Sequence, residues 1–125
     1  QRLSVFGGDY RTVDGTGVRD YLHVMDLADA HVRALDYAAT ARGALALNVG
    51  TGQGCSVLEL VRAFEQASGQ PIAYEVVARR PGDVAALWAD PTQAMQVLGW
   101  SANRGIDAMC ADTWRWQRDN PKGYA

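Results

Sequence analysis

Residues 44–50, "ALALNVG", are a nearly unbroken apolar run closed by glycine. Strands that face water on one side alternate polar and apolar residues, whereas strands covered on both faces do not. The run is therefore expected to be an interior strand of a parallel sheet, following its helix as in a β/α layer fold. Upstream, "DLADAHVRALDYAATARG" has Asp26 as a candidate N-cap, helical spacing through Leu27, Ala30, Ala34 and Leu35, and Gly43 as the expected terminator. The rest of the chain supplies few partner strands of the same kind. The expected class is mixed α/β, with one helix and one strand that belong to a sheet not contained in these residues.

Elsewhere the elements alternate. Leu3 to Phe6 reads as a short strand, "GGDYRTVDGTG" as a loop, and Arg19 to Val24 as extended. Ser56-Val-Leu-Glu59 is a capping box that opens a helix to about Ser68, closed by Gly69. Pro71 to Val77 is rich in β formers, and Ala85 to Ala89 is a short extended piece. Asp90-Pro91 begins a helix ended by Gly99, and Asp107 to Asp119 forms the last helix before Asn120-Pro121.

At 125 residues, with 48% apolar and 21% charged side chains, the composition is that of one globular domain. A net charge of −2 gives no basic field for nucleic acid or a membrane surface, and no run is long enough to span a membrane. Anion binding must come from locally placed arginines. Two cysteines, Cys55 and Cys110, make no disulfide framework, and His23 and His31 are too scattered for a metal site. A reducing cytoplasm fits. The opening "QRLSVFG" lacks an initiator Met and is strand-like by Leu3, so the chain reads as a piece of something longer.

Three further patterns concern chemistry. "VGTGQGC", Val49 to Cys55, begins like a dinucleotide fingerprint, but Cys55 stands at the third glycine and no acidic residue ends the next strand. It is read as a turn before the Ser56 cap, not as a cofactor site. The four tryptophans are spread along the chain, with only Trp114 and Trp116 sharing an element, so core and cap packing is expected rather than a platform for bases. In "YEVVARRPGDVAALWAD", Tyr74 to Asp90, two arginines and a carboxylate crowd a tight turn between apolar segments. A surface ion pair would explain Arg80 and Asp83 taken alone.

"GTGVRDYLHVMDLADAH", Gly15 to His31, closely resembles a signature of extended short-chain dehydrogenase/reductases acting on nucleotide sugars. Together with "LSVFGGDYRTVDGTG", "NVGTGQGCSVLELV", "RRPGDVAALWAD" and the ending "DTWRWQRDNPKGY", the whole chain resembles the C-terminal part of bacterial UDP-glucose (UDP-galactose) 4-epimerases. The resemblance implies that residues 1–125 form the UDP-sugar-binding unit of such an enzyme, with roughly 24–50 packing on an absent Rossmann domain. It places Ser4 and Phe6 where strand backbone meets the uracil edge, with Val5 between them. Arg19 and Arg80 match phosphate-binding arginines, and Asp83 a carboxylate that accepts from ribose hydroxyls. Gly82 lets backbone approach closely, and Arg79 is expected to point away from Arg80. Leu87 stands where many relatives carry tyrosine beside the sugar, which implies tolerance of N-acetylated sugars. Pro81 also differs from the acidic residue of some relatives.

The activity implied is NAD-dependent inversion at the sugar C4, part of galactose metabolism. No catalytic, NAD-binding or metal-binding residue is expected in this chain, which alone should be inactive. Expected partners are the UDP-hexose, the missing Rossmann domain and a second subunit when intact; the isolated chain should expose apolar surface and self-associate. The alternatives are another nucleotide-sugar dehydrogenase of the superfamily, such as a decarboxylase or dehydratase, and a non-catalytic nucleotide-sugar-binding domain.

Overall fold

A computed structural model describes residues 2–124. The elements in chain order are β1 (Leu3–Phe6), β2 (Val18–Arg19), α1 (Val24–Ala38), β3 (Cys55–Ser56), α2 (Val57–Ser68), β4 (Tyr74–Val77), β5 (Ala86–Leu87), α3 (Thr92–Leu98) and α4 (Ile106–Asp119). The chain is mixed α/β, with two small sheets set among four helices. β1 and β4 pair in parallel, Leu3 opposite Tyr74 and Phe6 opposite Val77. In the second sheet β2 is central, antiparallel to β3 and parallel to β5, so that Arg19 lies opposite both Cys55 and Leu87.

Local chemistry sets most of the boundaries. Ser56 caps α2 by accepting from the Glu59 amide, while the Glu59 carboxylate accepts from the Ser56 amide, completing the capping box. Gly69 and Gly99 close α2 and α3 in the left-handed region, at φ 68° and 61°, where a side chain would be strained. α1 departs from expectation at both ends. Its N-cap is His23, whose Nδ1 accepts from the Met25 amide at 3.1 Å. Asp26 is turned inward instead: its carboxylate accepts from the Asn103 and Arg104 amides and from the Arg104 guanidinium. α1 ends at Ala38, and Gly43 lies beyond it in an irregular segment.

Residues 44–50 form no strand. A strand exists through its ladder, and among the described residues no segment pairs with this one. Leu45 is half exposed in consequence, as are Val32 and, more fully, Val24 and Leu35 on α1. The tight core is correspondingly small. Ala30 of α1, Ala94 of α3 and Trp100 form one cluster, flanked by Leu22, Val49 and Leu98. Trp100 is fully buried and its indole N–H donates to the Asp26 carbonyl at 3.0 Å. α2 packs on α4, with Phe64 and Trp114 edge to face at 6.3 Å. Trp88 and Trp116, in contrast, are exposed and belong to no core, against the packing expected for all four tryptophans.

Candidate functional site

β1 offers one bare edge. The Leu3 and Gly7 amides donate to the Ala73 and Val77 carbonyls, both at 2.9 Å, so the odd-numbered residues of β1 address β4. Backbone groups alternate along a strand, and Ser4 and Phe6 therefore turn their peptide groups to the opposite edge. No described strand covers that edge. Val5, buried between them, fixes the strand on the domain.

Ser4, Val5, Phe6, Arg19, Arg80 and Asp83 line a single hollow of about 290 Å³. Two arginines separated by about half of the chain meet there on one carboxylate. Arg80 Nε donates to Asp83 Oδ2 at 3.0 Å, and Arg19 Nη2 stands 3.8 Å from Asp83 Oδ1. Arg19 is held in place because its Nη1 donates to the Val18 carbonyl at 2.8 Å. The Arg80 guanidinium lies 4.6 Å from the centre of the Phe6 ring, a cation–π contact that ties the turn to β1. Arg79 goes elsewhere, as the alternation of neighbouring side chains implied. It donates to the Asp9 carboxylate at 2.7 Å and stacks 4.1 Å above the Tyr10 ring.

Gly82 and Leu87 do not line this hollow. Gly82 has φ +87° with open space around it, so glycine is required by the backbone of the turn rather than by a close approach. The turn it permits returns the Asp83 amide to the Arg80 carbonyl at 3.2 Å and thereby aims both side chains inward. Leu87 lines an adjoining hollow of about 440 Å³ with Asp20, Asn48, Val49 and Trp88. Arg19 lines both cavities, directly across the β2–β5 ladder from Leu87.

The glycine turn has an occupant of its own. The Asp20 carboxylate accepts from the Thr51 and Gly52 amides at 3.0–3.1 Å, from the Ala89 amide at 3.2 Å and from the Thr51 hydroxyl. A Cβ on Gly50 would stand 2.5 Å from Asp20 Oδ2 and 2.6 Å from the Ala89 Cβ, which is why the position takes glycine. Burial pushes the Asp20 carboxyl up, but the hydrogen bonds from Thr51, Ala89 and Gly52 outweigh it and hold the group below the usual carboxylate range. Amides that would cradle a dinucleotide phosphate are thus already satisfied by an internal anion. The turn does not fit NAD.

Sequence reasoning missed three residues here. Asp20 acts on backbone groups 31 to 69 positions away, which no local pattern reveals. Tyr21 lines the hollow two residues after Arg19, a spacing that could have flagged it. Tyr10 lines it from a loop with no periodic signal. A larger trough of about 710 Å³ between the start of α1 and α4 collects none of the proposed ligands; its one arginine, Arg115, is already paired with Asp112 at 2.8 Å. Among the described residues no cluster could hold a metal ion, and no helix is long and apolar enough to cross a membrane.

The model of the GDP-mannose 4,6 dehydratase family matches residues 1–113. The UDP-glucose 4-epimerase of Bacillus subtilis is 57% identical over 99% of this chain and 37% of its own length, and that of Homo sapiens is 56% identical over 99% and 36%. The solved UDP-glucose 4-epimerase of Bifidobacterium longum, in complex with NAD+ and UDP, superimposes with a TM-score of 0.95 at 49% identity, covering 99% of this chain and 37% of that one. The chain spans a little over a third of the length of the curated relatives it matches. It belongs to the GDP-mannose 4,6 dehydratase family, and over nearly its whole length it is similar to one part of the UDP-glucose 4-epimerases.

Proposed function

We propose that this chain grips the UDP part of a UDP-hexose, and that the whole protein is an NAD-dependent UDP-glucose/UDP-galactose 4-epimerase. The observation that carries the reading is the convergence of Arg19 and Arg80 on Asp83, in one hollow with the bare edge of β1. A diphosphate brings stronger anionic acceptors than one shared carboxylate, and planar guanidinium forks suit phosphate oxygens. Each charge-assisted bond is worth about 1.5–3 kcal/mol. Drawing the arginines onto phosphate frees Asp83 to accept from ribose hydroxyls. The donors and acceptors of Ser4 and Phe6 on the open strand edge match the alternating carbonyl and imide groups of uracil.

The sugar then extends past Arg19 toward the hollow that Leu87 lines. Firm hold on the nucleotide with an apolar, loosely contacting wall at the sugar lets the hexose present either face while UDP stays fixed. That is remote binding energy retaining a reactive intermediate. No catalytic or NAD-binding residue is assigned to this chain. The sequence contains no Tyr-x-x-x-Lys pair, and the glycine turn is filled by Asp20. On this reading NAD, the catalytic base and a packing surface for residues 24–50 come from a Rossmann domain, and the chain alone does not turn over substrate.

Calorimetric titration of the full-length protein with UDP tests the reading. Arg19→Ala and Arg80→Ala are each expected to weaken UDP by about ten- to a hundredfold, in line with one lost charged hydrogen-bond pair. A parent protein that ignores UDP, or arginine variants that bind it unchanged, would refute it.

A further inference from the structure

We infer that Tyr10 is a further nucleotide-binding residue of this hollow, its hydroxyl serving the nucleoside half of the ligand; the inference rests on the UDP reading above. Tyr10 is 6% exposed, and among the buried side-chain atoms of the described residues its hydroxyl is the one without a hydrogen-bond partner. Buried hydroxyls are paired as a rule, and an unpaired one destabilises the fold. This one sits in a residue that lines the hollow beside Ser4 and Phe6.

The ring has no freedom to seek a partner elsewhere. Its Cε2 edge packs so tightly on the backbone following β1 that a Cβ on Gly7 would stand 2.5 Å from it. Its face is covered by the Arg79 guanidinium at 4.1 Å, itself fastened to the Asp9 carboxylate and carbonyl. The adjacent arginines of the RRPGD turn thus divide the work: Arg80 addresses the anion, and Arg79 clamps the tyrosine. Nucleotide phosphates compete with Asp83 for Arg19 and Arg80, so the ion-paired wall of the hollow yields when a ligand enters. The Tyr10 hydroxyl gains its partner, a base carbonyl or a ribose hydroxyl, at that moment.

The test is Tyr10→Phe, which keeps the ring and its stacking. UDP and uridine are titrated against the parent and the variant, with thermal melts of both in the absence of ligand. The expected result is a Tm equal to or above the parent's, with UDP and uridine weakened by the same factor, about two- to twelvefold for one neutral hydrogen bond. Unchanged UDP affinity would overturn the inference while leaving the arginine clamp intact. So would a lowered Tm, which would mean that the hydroxyl has an internal partner. Loss of UDP without loss of uridine would also overturn it, by moving the effect to the phosphates. A parent that binds neither ligand would remove the UDP reading and this inference together.

Discussion

Replacing Asp20 by alanine removes one carboxylate and leaves three backbone amides without their acceptor, while the Thr51 hydroxyl keeps only the Gln53 carbonyl at 3.2 Å. These groups come from the glycine turn and from the exit of β5, so Asp20 staples both to the strand that carries Arg19. Hydrogen bonds to a charged acceptor are worth about 1.5–3 kcal/mol when fully buried, but Asp20 is only partly buried and water can reach the vacated amides. About 1 kcal/mol for each of three retained-in-part donors is the appropriate scale, or roughly 3 kcal/mol in all. Against a typical domain stability of about 5–15 kcal/mol that is a large fraction. A chain of this size should lose roughly 10 °C in Tm. Urea unfolding followed by circular dichroism measures the loss directly. Asp20→Asn, which keeps one acceptor oxygen but not the charge, should fall between the parent and alanine. A loss below about 0.5 kcal/mol for alanine, the range of neutral surface changes, would refute the stapling account.

Acid should act through the same group: the folded Asp20 carboxyl lies below its ordinary value of 3.8, with Asp14 and Asp26 lowered as well, so the unfolded chain binds protons first. Their stabilisation is therefore complete above about pH 5 and drains away as pH falls through about 4 and below, and urea midpoints of Asp20→Asn should show a shallower acid limb than the parent's. At Gly82, alanine would meet no atoms but would hold φ +87°, so Gly82→Ala should cost about 1–2 kcal/mol in chemical denaturation and weaken UDP by misaiming Arg80 and Asp83. In the full-length protein, Leu87→Tyr should slow turnover of a UDP-N-acetylhexosamine relative to UDP-galactose, because the ring fills the hollow beside Arg19; equal rates for parent and variant would remove Leu87 as a determinant of sugar size.

The sequence was most legible where structure is local. A capping box closes within four residues, and a left-handed glycine stops a helix whatever surrounds it, so α2 and the ends at Gly69 and Gly99 could be read directly. Tertiary demand overrode the local signal at Asp26. Its carboxylate is a sound helix cap in isolation, yet it serves the 103–104 backbone, and His23 takes the cap. The apolar run at 44–50 carries a strand's composition, but a strand also needs a neighbour, and composition cannot supply one. The resemblance carried by the VRDY and RRPGD patterns pointed to Arg19, Arg80 and Asp83, and these three do line one hollow. Tyr10 and Asp20 were not legible, because Tyr10 is held by Arg79, from beyond the strand paired with β1, and Asp20 serves three distant amides.

The most direct test is a crystal structure of the full-length protein with UDP bound. The guanidinium groups of Arg19 and Arg80 are expected within hydrogen-bonding distance of the same diphosphate, with Asp83 released from Arg80 and the uracil paired with the backbone of Ser4 and Phe6. UDP seated elsewhere, with the Arg80–Asp83 pair still closed at its present 3.0 Å, would contradict it.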